Sequence, residues 1–165
     1  MPSKIVKRPE IAHFLNTTPG ATALWSLINE GHPNLSTSYN AETETYQWIA
    51  ESSGTTKVKA YAPTVSTEQI AHVGDPIFDF VDKLSWTLAI GAAAETEYLE
   101  VRIYNAVGAS PTTYPARKFK CSISIDSEGD AATDPLSRSY NINFMGDPVF
   151  GTFNPSTKTF TATSS

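Results

Sequence analysis

Two stretches of strict two-residue alternation decide most of what this chain can become. Across residues 97–107, Leu99, Val101, Ile103 and Asn105 fall on one side, and Tyr98, Glu100, Arg102 and Tyr104 on the other. Across residues 118–126, Phe119, Cys121, Ile123 and Ile125 alternate with Lys118, Lys120, Ser122 and Ser124. A period of two is the pleat of a β-strand, and an α-helix would scatter the same residues around its circumference. Gly108-Ala109-Ser110-Pro111 lies between the two runs and supplies turn residues, so the strands are predicted to pair antiparallel.

The pattern continues elsewhere. Tyr140, Ile142 and Phe144 alternate with Asn141 and Asn143, and residues 157–163 alternate Thr with Lys158, Phe160 and Ala162. Shorter strands are predicted over residues 23–28, 45–51 and 55–62, the last two joined by Ser52-Ser53-Gly54. The 20 Thr and 17 Ser are dispersed among aromatic and β-branched residues, which suits a half-solvated pleated surface. One segment departs from this. After Asp75-Pro76, the residues Ile77, Phe80, Val81, Leu84 and Leu88 recur at helical spacing, with Asp79, Asp82, Lys83 and Ser85 opposite. Asp75 is the predicted N-cap, Pro76 the first helical residue, and Gly91 the end of the run. A helix of about three turns is unstable alone and must lie on a sheet or cap a barrel. The predicted fold class is therefore mainly β, a sandwich or barrel with one flanking α-helix, in a single domain spanning 1–165. Residues 1–19 read as an N-terminal arm. Residues 32–44, polar and marked by Pro and Asn, read as a projecting loop.

Several chemistries find no support in these residues. A net charge of −5 with twelve dispersed Lys and Arg disfavours a protein that grips phosphates. The single Cys121 excludes an internal disulfide and a multi-thiolate zinc site. No window approaches the roughly 18 apolar residues of a membrane helix, and Lys4, Lys7 and Arg8 are not followed by the apolar core of a signal peptide. His13, His32 and His72 lie in unrelated segments and read as ordinary surface or loop residues. G-x-S-x-G, P-loop and H-E-x-x-H patterns are absent. The acidic run from Asp126 to Asp130 has Ala131 and Ser137 where a calcium loop needs Gly and Glu, so a hairpin turn explains it better. Cys121, between Phe119 and Ile123, reads as a small buried hydrophobe. Trp25, Trp48 and Trp86 read as core or subunit-interface residues. No catalytic residue, cofactor or metal ligand is expected.

Three segments together resemble the major tail tube proteins of long, non-contractile bacteriophage tails. The first is Lys57-Val58-Lys59-Ala60-Tyr61-Ala62-Pro63, followed by Val73-Gly74-Asp75-Pro76-Ile77 and the helix with Phe80. The second is the pair of long strands beginning at Glu97 and Lys118. The third is Asn143-Phe144-Met145-Gly146-Asp147-Pro148-Val149-Phe150-Gly151-Thr152-Phe153, running into Thr157-Lys158-Thr159-Phe160-Thr161. The likeness spans roughly residues 20–163 and lies in the order and local flavour of these segments.

The resemblance implies a structural virion subunit with no catalytic residues. Such subunits form hexameric rings that stack into a hollow tube, assembled in the bacterial cytoplasm and conducting phage DNA without sequence-specific binding. Implied partners are copies of the chain itself and other tail proteins, such as the tape measure and terminator, with no membrane. By the same resemblance, the 32–44 segment with Asn34, Leu35 and Tyr39 reaches the adjacent ring. Lys4, Lys7 and Arg8 on the arm would pair there with acidic residues such as Glu42, Glu44 or Asp130. The rival expectations are another ring-forming tail part (a terminator or connector), a carbohydrate-binding β-sandwich using Trp25 or Trp48, and, weakest, an enzyme using Cys121.

Overall fold

The alternating segments become ten strands in the computed structural model, which describes residues 3–106 and 112–163. In chain order they are β1 (Ile11–Asn16), β2 (Trp25–Leu27), β3 (Asn34–Ser38), β4 (Ala41–Tyr46), β5 (Thr55–Tyr61) and β6 (Thr64–Ile70). The helix α1 (Pro76–Thr87) follows, then β7 (Glu95–Arg102), β8 (Tyr114–Glu128), β9 (Ser137–Asn154) and β10 (Thr159–Ala162). Eight strands form one antiparallel sheet in the order β2-β1-β7-β8-β9-β6-β3, with β10 paired to the far part of β9. The other two, β4 and β5, form a separate hairpin.

The spine of the sheet is the β8–β9 pair, 15 and 18 residues long. Their register slips where Lys118 faces Val149 but Lys120 faces Met145, so Gly146, Asp147 and Pro148 bulge out opposite Phe119. Gly146 has φ +71°, a conformation that costs an L side chain and suits glycine. The bulge lets one strand serve two neighbours, β6 along its first part and β10 along its last.

The apolar residues fall on both faces of this sheet. On one face Leu15, Val65, Tyr98, Phe119, Cys121, Ile123, Tyr140 and Ile142 pack under Ile77, Val81 and Leu84 of α1. On the other face Phe14, Trp25, Leu99, Val101, Ala116 and Phe153 form a second cluster with Phe160 of β10 against it. Each fully buried large apolar side chain contributes about 1.5–3 kcal/mol, so the three helix residues alone anchor α1 firmly. Asp75 caps α1 by accepting from Phe78 N at 2.8 Å, with Pro76 at the first helical position, as the sequence predicts.

Several boundaries differ from the sequence reading. The helix stops at Thr87 rather than at Gly91, because Leu88 turns left-handed at φ +48° and its N–H returns to the carbonyls of Leu84 and Ser85. Leu88 is consequently 82% exposed instead of lying on the apolar face. The strand predicted over 97–107 starts at Glu95 and ends at Arg102, where Ile103 N and Tyr104 N turn aside to the carbonyl of Glu10 at 2.9 and 3.4 Å. Strands β7 and β8 do pair antiparallel. The Gly108-Ala109-Ser110-Pro111 turn lies outside the described residues. The arm is shorter than 1–19: residues 11–16 are β1, an interior strand between β2 and β7 with Phe14 and Leu15 buried. The 32–44 segment is not a loop. Its polar Asn34–Ser38 portion is β3, whose alternate residues face water at the margin of the sheet, and its end opens β4. The hairpin expected from 45–51 and 55–62 exists, with its first strand four residues earlier.

Candidate self-association surfaces

The β4–β5 hairpin is the most exposed part of the molecule. Every residue of β5 is exposed, as are all of β4 but Tyr46. One face carries Glu42 and Glu44 beside Lys57 and Lys59, with a Glu42–Lys59 ion pair at 3.7 Å. Such a solvated pair adds little to stability. The other face carries Thr43, Thr45, Thr56 and Val58, with Thr45 Oγ1 and Thr56 Oγ1 at 2.8 Å. At the tip, Trp48 stacks edge-on against Tyr46 at 5.8 Å while remaining 64% exposed, and Ile49 is fully exposed. A solitary two-stranded hairpin is marginally stable in water. At its base, Asn40 Nδ2 donates to Ala62 O at 2.9 Å and ties the two ends together.

The terminal strands of the sheet path, β2 and β3, are the next candidates, since an edge strand is a template for another chain. The sheet curls until β3 faces β1 across a groove of about 550 Å³ whose walls include Arg8, His13, His32, Asn34 and Leu35. Further along, Tyr39 reaches back to Arg117, which donates to its hydroxyl at 3.2 Å and forks onto Glu100 at 3.0 and 3.2 Å. That pair is largely buried, and the Glu100 carboxylate helps hold the guanidinium charged against its burial.

The structure scatters the proposed contact residues rather than gathering them. Asn34 and Leu35 lie in β3, with Leu35 half-buried against the helix-side core. Glu42 and Glu44 are on the hairpin, and Asp130 is in the β8–β9 connection. Lys4 is already paired within the chain to Glu10, whose carboxyl is held below its usual range by that bond and by the Lys7 backbone N–H at 2.7 Å. Arg8 donates to Ile11 O at 3.1 Å and stands beside β3.

One histidine, His13, departs from the surface-or-loop reading, and a second, His32, is a half-buried loop residue tied to the core. His13 is buried and hydrogen-bonds through Nδ1 to the Tyr98 hydroxyl. Burial, with Arg8 and Arg117 nearby, pushes its pKa down to about 3, so the ring is neutral and shares one hydrogen bond with the Tyr98 hydroxyl. His32 donates from Nδ1 to Glu30 O at 2.9 Å and accepts at Nε2 from the Tyr140 hydroxyl at 2.9 Å; burial lowers its pKa as well. The missed signal was position: His13 sits in a strand flanked by β2 and β7, and His32 sits in the loop before β3 within reach of Tyr140. His72 remains exposed. Cys121 is buried with its thiol pKa pushed up to about 12, the opposite of an activated nucleophile. Trp25 belongs to the core, whereas Trp48 and Trp86 are exposed. Among the described residues, no group of three or more His, Cys, Asp or Glu is placed to hold a metal, and no helix is long and apolar enough to cross a membrane.

One curled antiparallel sheet, one flanking helix and one detached hairpin define a mainly β fold of the phage-tail type. The same architecture occurs in a chain from the tail of an empty GTA (gene transfer agent) particle, determined with helical refinement and C6 symmetry. The two superpose with a TM-score of 0.61 at 14% identity, over 88% of this chain and 98% of that one. At that identity the likeness is one of fold. No protein-family model and no curated protein matches the sequence.

Proposed function

We propose that this chain is the tube subunit of a phage-like tail: it closes into six-membered rings, the rings stack, and the resulting channel passes DNA to a host. The observation that carries the reading is the near-complete correspondence with a chain of a C6-symmetric tail. Its physical support is the free hairpin and the two sheet margins, which a monomer leaves exposed and a closed ring would cover. The hairpin tip, with Trp48 and Ile49, is the contact to the neighbouring ring or subunit, and the short arm carrying Lys4, Lys7 and Arg8 is a second contact. Glu42, Glu44 and Asp130 are its acidic counterparts. The tape measure and terminator are further partners in such a tail, and the subunit works as a virion part without catalysis.

Negative-stain microscopy of the concentrated full chain tests this. Hollow filaments or six-fold rings are expected; a protein that stays monomeric as concentration rises refutes it. Single closed rings that never stack would favour a terminator or connector instead. Replacing residues 41–61 by two glycines, which the Asn40–Ala62 contact makes sterically easy, is expected to leave a folded subunit that forms no filament.

A further inference from the structure

The groove between β1 and β3 combines apolar walls with positive charge that the chain leaves free. Ile11, Leu27, Ile28, Leu35 and Ile103 supply the apolar lining. At about 550 Å³ the groove falls in the size range of pockets that hold a ligand group. It runs on into a second hollow of about 320 Å³, which shares Arg8, Ile11, His13 and Leu35 with it and adds Arg102. The one carboxylate lining either hollow, Glu100, is already bound to Arg117. Arg102 is exposed, and no carboxylate of the described residues lies within ion-pair distance of it or of Arg8. Such a trough fits an occupant with bulky apolar side chains and a carboxylate.

The tip of the β4–β5 hairpin carries those groups without using them in its own chain. Glu51 N donates to Trp48 O at 2.9 Å, closing a turn that presents Trp48, Ile49 and the Glu51 side chain together. All three are exposed, and the Glu51 carboxylate makes only a long 3.4 Å contact with Trp48 N. At about 3.3 Å per residue the tip stands roughly 25 Å from Asn40. None of its residues lines the groove of its own chain.

We infer that the β1–β3 groove is the receptor for the hairpin tip of a second copy, with Trp48 and Ile49 entering beside Ile11, Leu27 and Leu35 and the Glu51 carboxylate meeting Arg8 and Arg102. This deepens the self-assembly reading above and rests on it. Charge and bulk together select the tip. Residues 128–134 bring Glu128, Asp130 and Asp134 to satisfy the arginines but no apolar side chain larger than alanine. Residues 85–92 expose Trp86, Leu88 and Ile90 but carry no carboxylate. A tryptophan seated in a pocket is also the commonest kind of anchor in a protein contact, and the charge pair fixes which way it enters. Tip and groove are different surfaces, so each copy gives one and receives one. A contact of that kind propagates from copy to copy instead of stopping at a pair.

Disulfide trapping between full-length copies tests the assignment. Ile49→Cys and Leu27→Cys chains, each altered at an exposed position, are mixed and oxidised. A linked dimer is expected on a non-reducing gel about tenfold faster than between Ile49→Cys and Trp86→Cys chains, a preference of about 1.4 kcal/mol. The wild type, with Cys121 buried, is the blank. Adding Arg8→Glu to the Leu27→Cys chain is expected to slow the trapping, and adding Glu51→Arg to the Ile49→Cys chain to restore it, which separates a lost charge pair from a misfolded groove. Trapping on Trp86→Cys as fast as on Leu27→Cys, or no recovery on the charge swap, overturns the inference. Wild-type filaments without a 27–49 link refute the groove and leave the tube reading intact. A 27–49 link in a chain that never forms rings or filaments keeps the groove and removes the tube, and a chain that shows neither removes both.

Discussion

The buried His13 makes stability fall with acid over a range where ordinary carboxylates are still ionised. Its pKa is about 3 in the folded chain against 6.5 for a free imidazole, and burial is the chief cause. A depressed histidine pKa means that the unfolded chain binds the proton first, so native stability declines as pH drops below about 6.5 and levels off only near 3. Between pH 7 and pH 5 the unfolded ring goes from mostly neutral to almost fully protonated while the folded ring stays neutral. At about 1.4 kcal/mol per pH unit of separation, that interval removes about 2 kcal/mol. His32, also lowered, adds in the same direction. The assay is urea denaturation followed by tryptophan fluorescence at pH 7 and pH 5, on dilute wild type and on His13→Gln, which has no titrating ring. The variant is expected to lose about 2 kcal/mol less than the wild type across the interval. Equal losses in the two proteins, or a His13 ring that titrates near 6.5 by NMR in the folded state, would refute the reasoning.

Other perturbations follow from single contacts. Arg138 is buried over the Phe78 ring and bonds Glu128 through Nε and Asp82 through Nη2, both at 2.7 Å, so it ties α1 to the end of the β8–β9 hairpin. Arg138→Ala is expected to cost about 2–3 kcal/mol in denaturant unfolding; a cost within error of zero would mean that the exposed carboxylates make the ties redundant. A Cβ at Gly151 would meet Thr161 O at 2.2 Å and the Phe160 ring at 2.8 Å. Gly151→Ala should therefore cost about 1–3 kcal/mol and speed amide exchange in β10, and unchanged exchange there would count against the pairing. In the folded protein Cys121 should resist iodoacetamide and react only after unfolding, because it is buried and its thiol pKa is raised to about 12; rapid modification would reopen the case for a reactive cysteine.

How much could be read in advance depended on whether a residue's environment is local. The helix start was legible because Asp75 and Pro76 act within one turn, and the β7–β8 pair because alternation is a property of each strand alone. The stop at Leu88 was not, since a left-handed leucine breaks the rule that favours glycine there. Residues 11–16 fell within the arm of the sequence reading; as an interior strand they bury His13 because Tyr98, 85 residues away, takes the ring as a partner. Residues 34–38 looked like a loop because an edge strand with one watery face has few apolar residues to advertise it. The hairpin was visible through Ser52-Ser53-Gly54, but its detachment from the main sheet depends on pairing choices that no short window encodes. Lys4, Glu42 and Tyr39, expected as contacts between rings, already have partners within the chain, which charge and polarity alone could not disclose.

The place of β1 between β2 and β7 imposes an order on how the protein is born. Strand β2 follows β1 by a few residues, but β7 is delivered more than eighty residues later. At the usual pace of translation, 5–20 residues per second, Phe14 and Leu15 wait roughly 4–17 s for the strand that shelters them. During that wait the nascent N-terminal ribbon is sticky, and on a polysome its neighbours carry the same ribbon. A chaperone that holds this ribbon while residues 17–95 are being made would therefore raise the yield of the protein, and slow codons in that interval would lower it.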